Sequence, residues 1–137
     1  MAEPSVHTLS IVSPPDDVDS VHDMLESVWL SAPQVSPRDR FSFETALIEL
    51  ASNVIRHADG GAGVSCALTV EITAHRIVAS LTDSGLAGNI SLIAPSMPDE
   101  LEESGRGLSI IHALVDEVGY DRSDDLNHWR ISRKLEP

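Results

Sequence analysis

The segment Glu44–Ala58 has two chemically different faces, and it constrains the fold more than any other stretch of the chain. Its apolar residues recur at the spacing of one helix face: Leu47, Leu50, Ala51, Val54, Ile55 and Ala58. Glu49 and Asn53 lie four residues apart, and Arg56 and His57 follow one turn later, so all four line up along another face. The pattern predicts a helix over about residues 38–58 that packs on a core. Its polar face is either an ordinary solvated surface or the wall of a phosphate–metal site.

Alternating apolar residues predict the sheet on which this helix packs. Residues 64–72 alternate apolar and more polar side chains, which is typical of a strand covered on one face only. Further strands are predicted at His7–Val12, at Ile77–Asp83, near Val118–Tyr120 and around Trp129–Arg133, and a first helix is predicted from Pro14. These elements together predict an α+β fold, a two-layer sandwich.

Asp83 follows an apolar row, because it shares the parity of Ile77, Ala79 and Leu81. It is therefore predicted to point toward the helix-covered side of the sheet, where a carboxylate is costly without a hydrogen-bond donor. An adenine amino group is a suitable donor. The alternative is an aspartate that only initiates the turn at Ser84-Gly85.

Two glycines open a third amphipathic segment, Ser104–Val118 (SGRGLSIIHALVDEV). Glycine at a helix start allows backbone amides to approach a ligand closely, and the exposed N–H groups there favour an anion. A single Gly-x-Gly is weak evidence for an anion site. Its position after the Glu44–Ala58 helix and the strand that ends at Asp83 makes it more specific.

Composition limits the classes of partner. Lysine and arginine total 9 against 22 aspartates and glutamates, a net charge of −13, which disfavours direct binding to nucleic acid phosphates. An acidic surface either steers a basic protein partner or only maintains solubility. The single Cys66 excludes an intrachain disulfide, no run approaches a membrane span, and the N terminus lacks a secretory pattern, so we expect a cytoplasmic protein without membrane contact.

The order of the three segments, Glu-x3-Asn helix, strand-Asp-x-Gly and Gly-x-Gly-Leu helix, resembles the ATP-binding boxes of the GHKL superfamily of histidine kinase-like ATPases. Among short members, the chain looks most like the bacterial anti-sigma-factor serine/threonine kinases. The resemblance implies a GHKL (Bergerat) sandwich with a mixed, mostly antiparallel sheet covered by helices on one face. It further implies one domain over residues 1–137, a lid at about residues 86–104, and ATP and Mg²⁺ as cofactors.

The resemblance also implies roles for the helix Glu44–Ala58. Asn53 would be the magnesium ligand and Glu49 the catalytic carboxylate, with Arg56 and His57 flanking the metal site. An amide oxygen is a ligand that Mg²⁺ accepts beside phosphates and waters, and a carboxylate one turn away is suited to act as a general base.

In the second and third boxes, Asp83 would accept the adenine amino group and Gly85 would let the purine pack against the backbone. The phosphate-side turn would consist of Gly105, Arg106, Gly107 and Leu108. The chain departs from the family pattern because Ala87 stands where a second glycine belongs, with Gly88 one residue later. A threonine that often precedes the last strand has no obvious counterpart near Asn127-His128.

Three functions fit these observations. The first is an anti-sigma factor that binds a sigma factor and phosphorylates an anti-anti-sigma (STAS-type) partner, with a homodimer expected from the family. The second is a binding module of the same fold that does not turn over ATP. The third, the catalytic domain of a sensor histidine kinase, needs a helical hairpin with a phosphoacceptor histidine upstream, and only 36 residues precede Pro37.

Overall fold

The fold alternates strands and helices along the chain, in a computed structural model that describes residues 4–13, 16–58, 63–85 and 103–136. In chain order, the elements are β1 (Ser5–Ser13), α1 (Asp19–Ser31), α2 (Pro37–Ala58), β2 (Val64–Ile72), β3 (Arg76–Asp83), α3 (Glu103–Leu114), β4 (Glu117–Ser123) and β5 (Leu126–Lys134). The predicted helix over residues 38–58 corresponds to α2.

The five strands form one sheet in the order β1-β2-β3-β5-β4. Each pair of neighbours is antiparallel, so the strands that the structure describes form a wholly antiparallel sheet, where a mixed, mostly antiparallel one was expected. A two-residue turn joins β4 to β5, and both its residues, Asp124 and Asp125, have positive φ angles of 54° and 62°. Such a turn matches the twist of a hairpin, and aspartate tolerates the left-handed region better than most residues.

One face of the sheet carries the core. In β2, the residues of the predicted apolar row are buried, while Ser65, Ala67 and Glu71 on the other face are exposed. Both helices contribute buried side chains to this core: Val21, Leu25 and Val28 from α1, and Leu47, Leu50, Ala51 and Val54 from α2. The α+β two-layer sandwich with helices on one face is therefore confirmed.

Two predicted boundaries were wrong. The third helix ends at Leu114 rather than Val118. Val118 itself lies in β4, where it is paired with Ile131, in agreement with the strand predicted near Val118–Tyr120. The first helix begins at Asp19, several residues after Pro14, because the Asp17 carboxylate accepts the backbone N–H of Asp19 just before the first turn (2.9 Å). Of the predicted lid, residues 86–102 lie outside the described residues, and residues 103–104 already belong to α3.

A buried ion pair joins α2, α3 and β5. Arg133 in β5 donates from Nε to Asp39 Oδ1 at the start of α2 (2.9 Å) and from Nη1 to the carbonyl oxygen of Leu114 at the end of α3 (2.6 Å). The second oxygen of Asp39 accepts the backbone N–H of Glu136 (2.9 Å). Burial raises the pKa of Asp39, but the hydrogen bonds from Glu136 and Arg133 outweigh it and hold that pKa below its ordinary value.

Candidate functional site

The polar face of α2 is partly sunk into the protein. Asn53 is only 2% exposed, Glu49 one turn earlier is half-buried, and Arg56 is exposed. Arg56 donates from Nη2 to the amide oxygen of Asn53, so the structure brings these two predicted site residues together. The backbone of His57 is helical, and its side chain lies outside the part of the structure that is described. A helix face that only contacts solvent would leave this amide exposed, so its burial and its hydrogen bond are not explained by solvation alone.

Asn53 fits a role as a ligand of Mg²⁺. Its amide oxygen is an uncharged hard ligand, and the guanidinium of Arg56, which donates to it, would have to release or share that oxygen for Mg²⁺ to bind. Mg²⁺ typically keeps several waters and is held by one or two protein oxygens together with phosphate oxygens. The described residues contain no group of three or more His, Cys, Asp or Glu side chains that could hold a metal. By the resemblance, Asn53 would share a Mg²⁺ with the phosphates and water.

Asp83 lies at the end of β3, 1% exposed and on the helix-covered side, as its parity predicted. Its Oδ1 accepts the backbone N–H of Gly85 (2.9 Å) and the Nδ2 amide of Asn127 (2.8 Å). Its Oδ2 accepts the indole N–H of Trp129 (2.8 Å). The desolvation cost expected for this carboxylate is therefore already offset by donors of the chain itself. The turn-forming role and the buried position coexist in one residue.

Asn127, Trp129, Tyr120 and Arg122 were not among the predicted site residues. Asn127 lies directly opposite Asp83 in the β3–β5 pair, and its amide oxygen accepts Tyr120 Oη (2.6 Å) and Arg122 Nη1 (2.9 Å). The Tyr120 and Trp129 rings are in contact, with centroids 4.4 Å apart. One signal was available: Asn127 shares the parity of Trp129 and Ile131, so it is an amide in a core-facing row.

Cys66 is the β2 neighbour of Asp83, and it is a buried free thiol. Burial raises the pKa of Cys66 to about 11, and the charge of Asp83 contributes to the increase. The thiol therefore remains protonated at neutral pH. It serves as a small apolar side chain beneath the site, as expected.

The two glycines of the third predicted segment lie at the start of α3, which packs against α2. Because the helix begins at Glu103, Gly105 lies in its first turn and Gly107 at the beginning of its second. Backbone N–H groups of a first helical turn have no partner within the helix and favour anions. The side chains of Arg106 and Leu108 lie outside the described part of the structure, so the phosphate contacts of these four residues stay a prediction.

Comparisons with known proteins identify the family and the fold. The family model of the histidine kinase-like ATPase domain matches residues 11–133. The structure of the RsbU and RsbW domains of Rv1364c from Mycobacterium tuberculosis matches with a TM-score of 0.59 and 19% identity, covering 99% of this chain and 34% of that one. The Acinetobacter baumannii histidine kinase AdeS matches with a TM-score of 0.51 and 16% identity, covering 94% and 68%.

The chain thus spans about a third of the length of the Rv1364c structure, and at these identities both similarities concern the fold. No curated protein matches the chain. Among the described helices, none combines the length and apolar character that a membrane crossing requires. The family model, in contrast, covers nearly the whole sequence, from β1 to β5. The chain belongs to the histidine kinase-like ATPase domain family.

Proposed function

We propose that the chain is an anti-sigma factor with ATP-dependent serine/threonine protein kinase activity. It sequesters a sigma factor, phosphorylates an anti-anti-sigma partner of the STAS type and forms a homodimer. Membership in the ATPase family and the fold shared with a chain that contains an RsbW domain support this function. The observation that supports it most is the position of Asn53, whose buried amide lies one turn after the half-buried carboxylate of Glu49. Arg56 orients that amide by donating to its oxygen.

The four predicted site residues of α2 each have a role in the proposed phosphate transfer. Asn53 holds Mg²⁺, with Arg56 and His57 beside it. Glu49 accepts the proton of the attacking serine hydroxyl. A bound Mg²⁺ offsets the negative charge of the phosphates, and the protein itself mainly positions the groups that react.

The nucleotide would contact residues of the other two segments. Asp83 and Gly85 bind the base. The phosphates are bound at the start of α3, by Gly105, Arg106, Gly107 and Leu108. Because α3 packs on α2, the third segment lies beside the helix that carries Asn53.

Nucleotide binding is tested first, by titration calorimetry with ATP and Mg²⁺. We expect a site that Asn53→Ala weakens at least about tenfold, since the variant loses an oxygen ligand, a difference of roughly 1.4 kcal/mol. Gln34→Ala removes an exposed amide from the loop between α1 and α2 and should bind like the unmodified protein. If millimolar ATP produced neither heat nor a thermal shift, the nucleotide site would have to be abandoned.

Phosphate transfer is tested with labelled ATP and an anti-anti-sigma protein. Glu49→Gln should keep nucleotide affinity and slow the transfer by about 10²–10⁴, the usual contribution of a general base. Glu71→Gln, an exposed acid on the open face of the sheet, should transfer at the unmodified rate. Transfer that is undiminished in Glu49→Gln would mean that the carboxylate is structural.

One observation favours the second function, a binding module of the same fold without turnover. Asp83 already accepts three hydrogen bonds from described residues, so the folded chain does not need a base to satisfy it. Such a module would bind its protein partner in the absence of ATP and would give no labelled product. The two experiments above separate it from a kinase.

A further inference from the structure

The amide of Asn127 is held in one orientation. Its oxygen accepts from the Tyr120 hydroxyl (2.6 Å) and from Arg122 Nη1 (2.9 Å), while its Nδ2 donates to Asp83 Oδ1 (2.8 Å). Rotating the amide by 180° would place its NH₂ group against two donors and its oxygen against a carboxylate. The neighbours on β4 therefore force the NH₂ group toward Asp83.

The two oxygens of the Asp83 carboxylate consequently accept different numbers of hydrogen bonds. A carboxylate has about two acceptor positions on each oxygen. Oδ1 accepts Gly85 N–H and the Asn127 amide and is filled, whereas Oδ2 accepts only the Trp129 indole among the described residues. With respect to the described residues, one acceptor position is left, and it lies on Oδ2 beside the indole.

We propose that Asn127 is a positioning residue for base recognition. By occupying Oδ1, it leaves Oδ2 as the oxygen that accepts the exocyclic amino group of a 6-aminopurine. A 6-oxopurine places an acceptor at the same point and is repelled by the carboxylate. This inference rests on the proposed nucleotide site, and it adds Asn127, with Tyr120 behind it, to the residues that determine which base is bound.

The positioning is observable without a nucleotide. The chain has two tryptophans, and each indole donates to a carboxylate: Trp129 to Asp83, and Trp29 to Glu44 (3.1 Å). In a ¹⁵N–¹H spectrum, Asn127→Ala should shift the Trp129 indole signal, because the carboxylate turns when Oδ1 loses one of its two donors. The Trp29 signal should stay in place. An unmoved Trp129 signal would overturn the positioning role.

Selectivity is then measured as the ratio of ATP to GTP affinity. Asn127→Ala should lower the ratio at least about tenfold, a difference of roughly 1.4 kcal/mol, because the carboxylate that accepts from the base is no longer held in one orientation. Tyr120→Phe is the milder variant, since it keeps the ring on Trp129 and removes only the hydroxyl that holds the amide. It should lower the ratio by a few-fold, and the signal of Trp129 should move in the same direction as in Asn127→Ala.

Ser80→Ala, on the exposed face of β3, should change neither the ratio nor the indole signals. If the unmodified protein bound ATP and both variants kept its ratio of ATP to GTP affinity, the positioning role of Asn127 would be refuted and the proposed nucleotide site would stand. If the unmodified protein bound no ATP, base recognition would be refuted together with the proposed function.

Discussion

At the scale of the residue, the environment of Cys66 makes a reactive type of side chain inert. The thiol is 5% exposed, and burial, with the charge of Asp83 as a second cause, raises its pKa to about 11. Because the thiolate is the nucleophile, both its low population and its lack of access suppress reaction.

We predict that Cys66 of the native protein reacts with iodoacetamide at pH 8 only as the chain opens. The same thiol in urea should react completely within minutes, and this denatured sample is the control. Because the pKa of Cys66 is higher in the folded chain, the protonated thiol contributes to stability at every pH below 9.0, its pKa in the unfolded chain. This contribution declines as the pH rises from 9.0 toward about 11. Rapid modification of the native protein by one equivalent would show that the β2 row is open to solvent.

At the scale of the element, the ion pair of Asp39 and Arg133, with the hydrogen bond from Arg133 to Leu114, links α2 and α3 to the sheet. We predict that Arg133→Ala lowers the free energy of unfolding by about 3–5 kcal/mol, because Asp39 is left buried without its partner. Arg130→Ala is the matched control on the same strand. Its ion pair with Glu117 spans 3.6 Å and is half exposed on both sides, so its loss should cost about 0–1 kcal/mol. Urea denaturation measures both.

The same ion pair gives a pH dependence. Since the folded chain holds the pKa of Asp39 below its ordinary value of 3.8, the pair contributes fully above that pH. The contribution is lost as the pH falls through the lower folded value. The acid limb of the stability curve should therefore be shallower in Arg133→Ala than in Arg130→Ala. Equal acid limbs in the two variants would show that Asp39 does not depend on Arg133.

The elements show how far the sequence predicts this fold. The apolar stripe of α2 from Leu47 to Val54 and the alternation of β2 correctly indicated buried residues, because periodicity follows directly from helix and strand geometry. The burial of Asn53, on the polar face, was not indicated in this way. The end of α3 was placed four residues too late, because the apolar spacing of the helix continues to Val118, a residue that was also predicted, correctly, to lie in a strand. Asn127 was missed because its role depends on cross-strand register, which brings it opposite Asp83, 44 residues away. Pairing over such a separation is not visible in local periodicity.

At the scale of the whole molecule, charge restricts how two copies can meet. A protomer with a net charge of −13 repels its own kind over most of its surface. The edge strand β1, Ser5–Ser13, carries no lysine, arginine, aspartate or glutamate, and Val6 and Val12 on it are 59% and 54% exposed. The opposite edge strand, β4, is charged. An uncharged edge strand is a template for pairing with another strand.

We predict that the proposed homodimer pairs β1 with β1. Light scattering after size exclusion should give a dimer mass, and raising the salt from about 0.01 M to 0.15 M should strengthen association, because it shortens the screening length from about 30 Å to 8 Å. Thr8→Lys, on the exposed face of β1, should shift the mass to the monomer, since antiparallel pairing of two copies would bring like charges together. Ser123→Lys on β4 is the control and should remain dimeric. A dimer that survives Thr8→Lys and is lost in Ser123→Lys would move the interface to the other edge of the sheet.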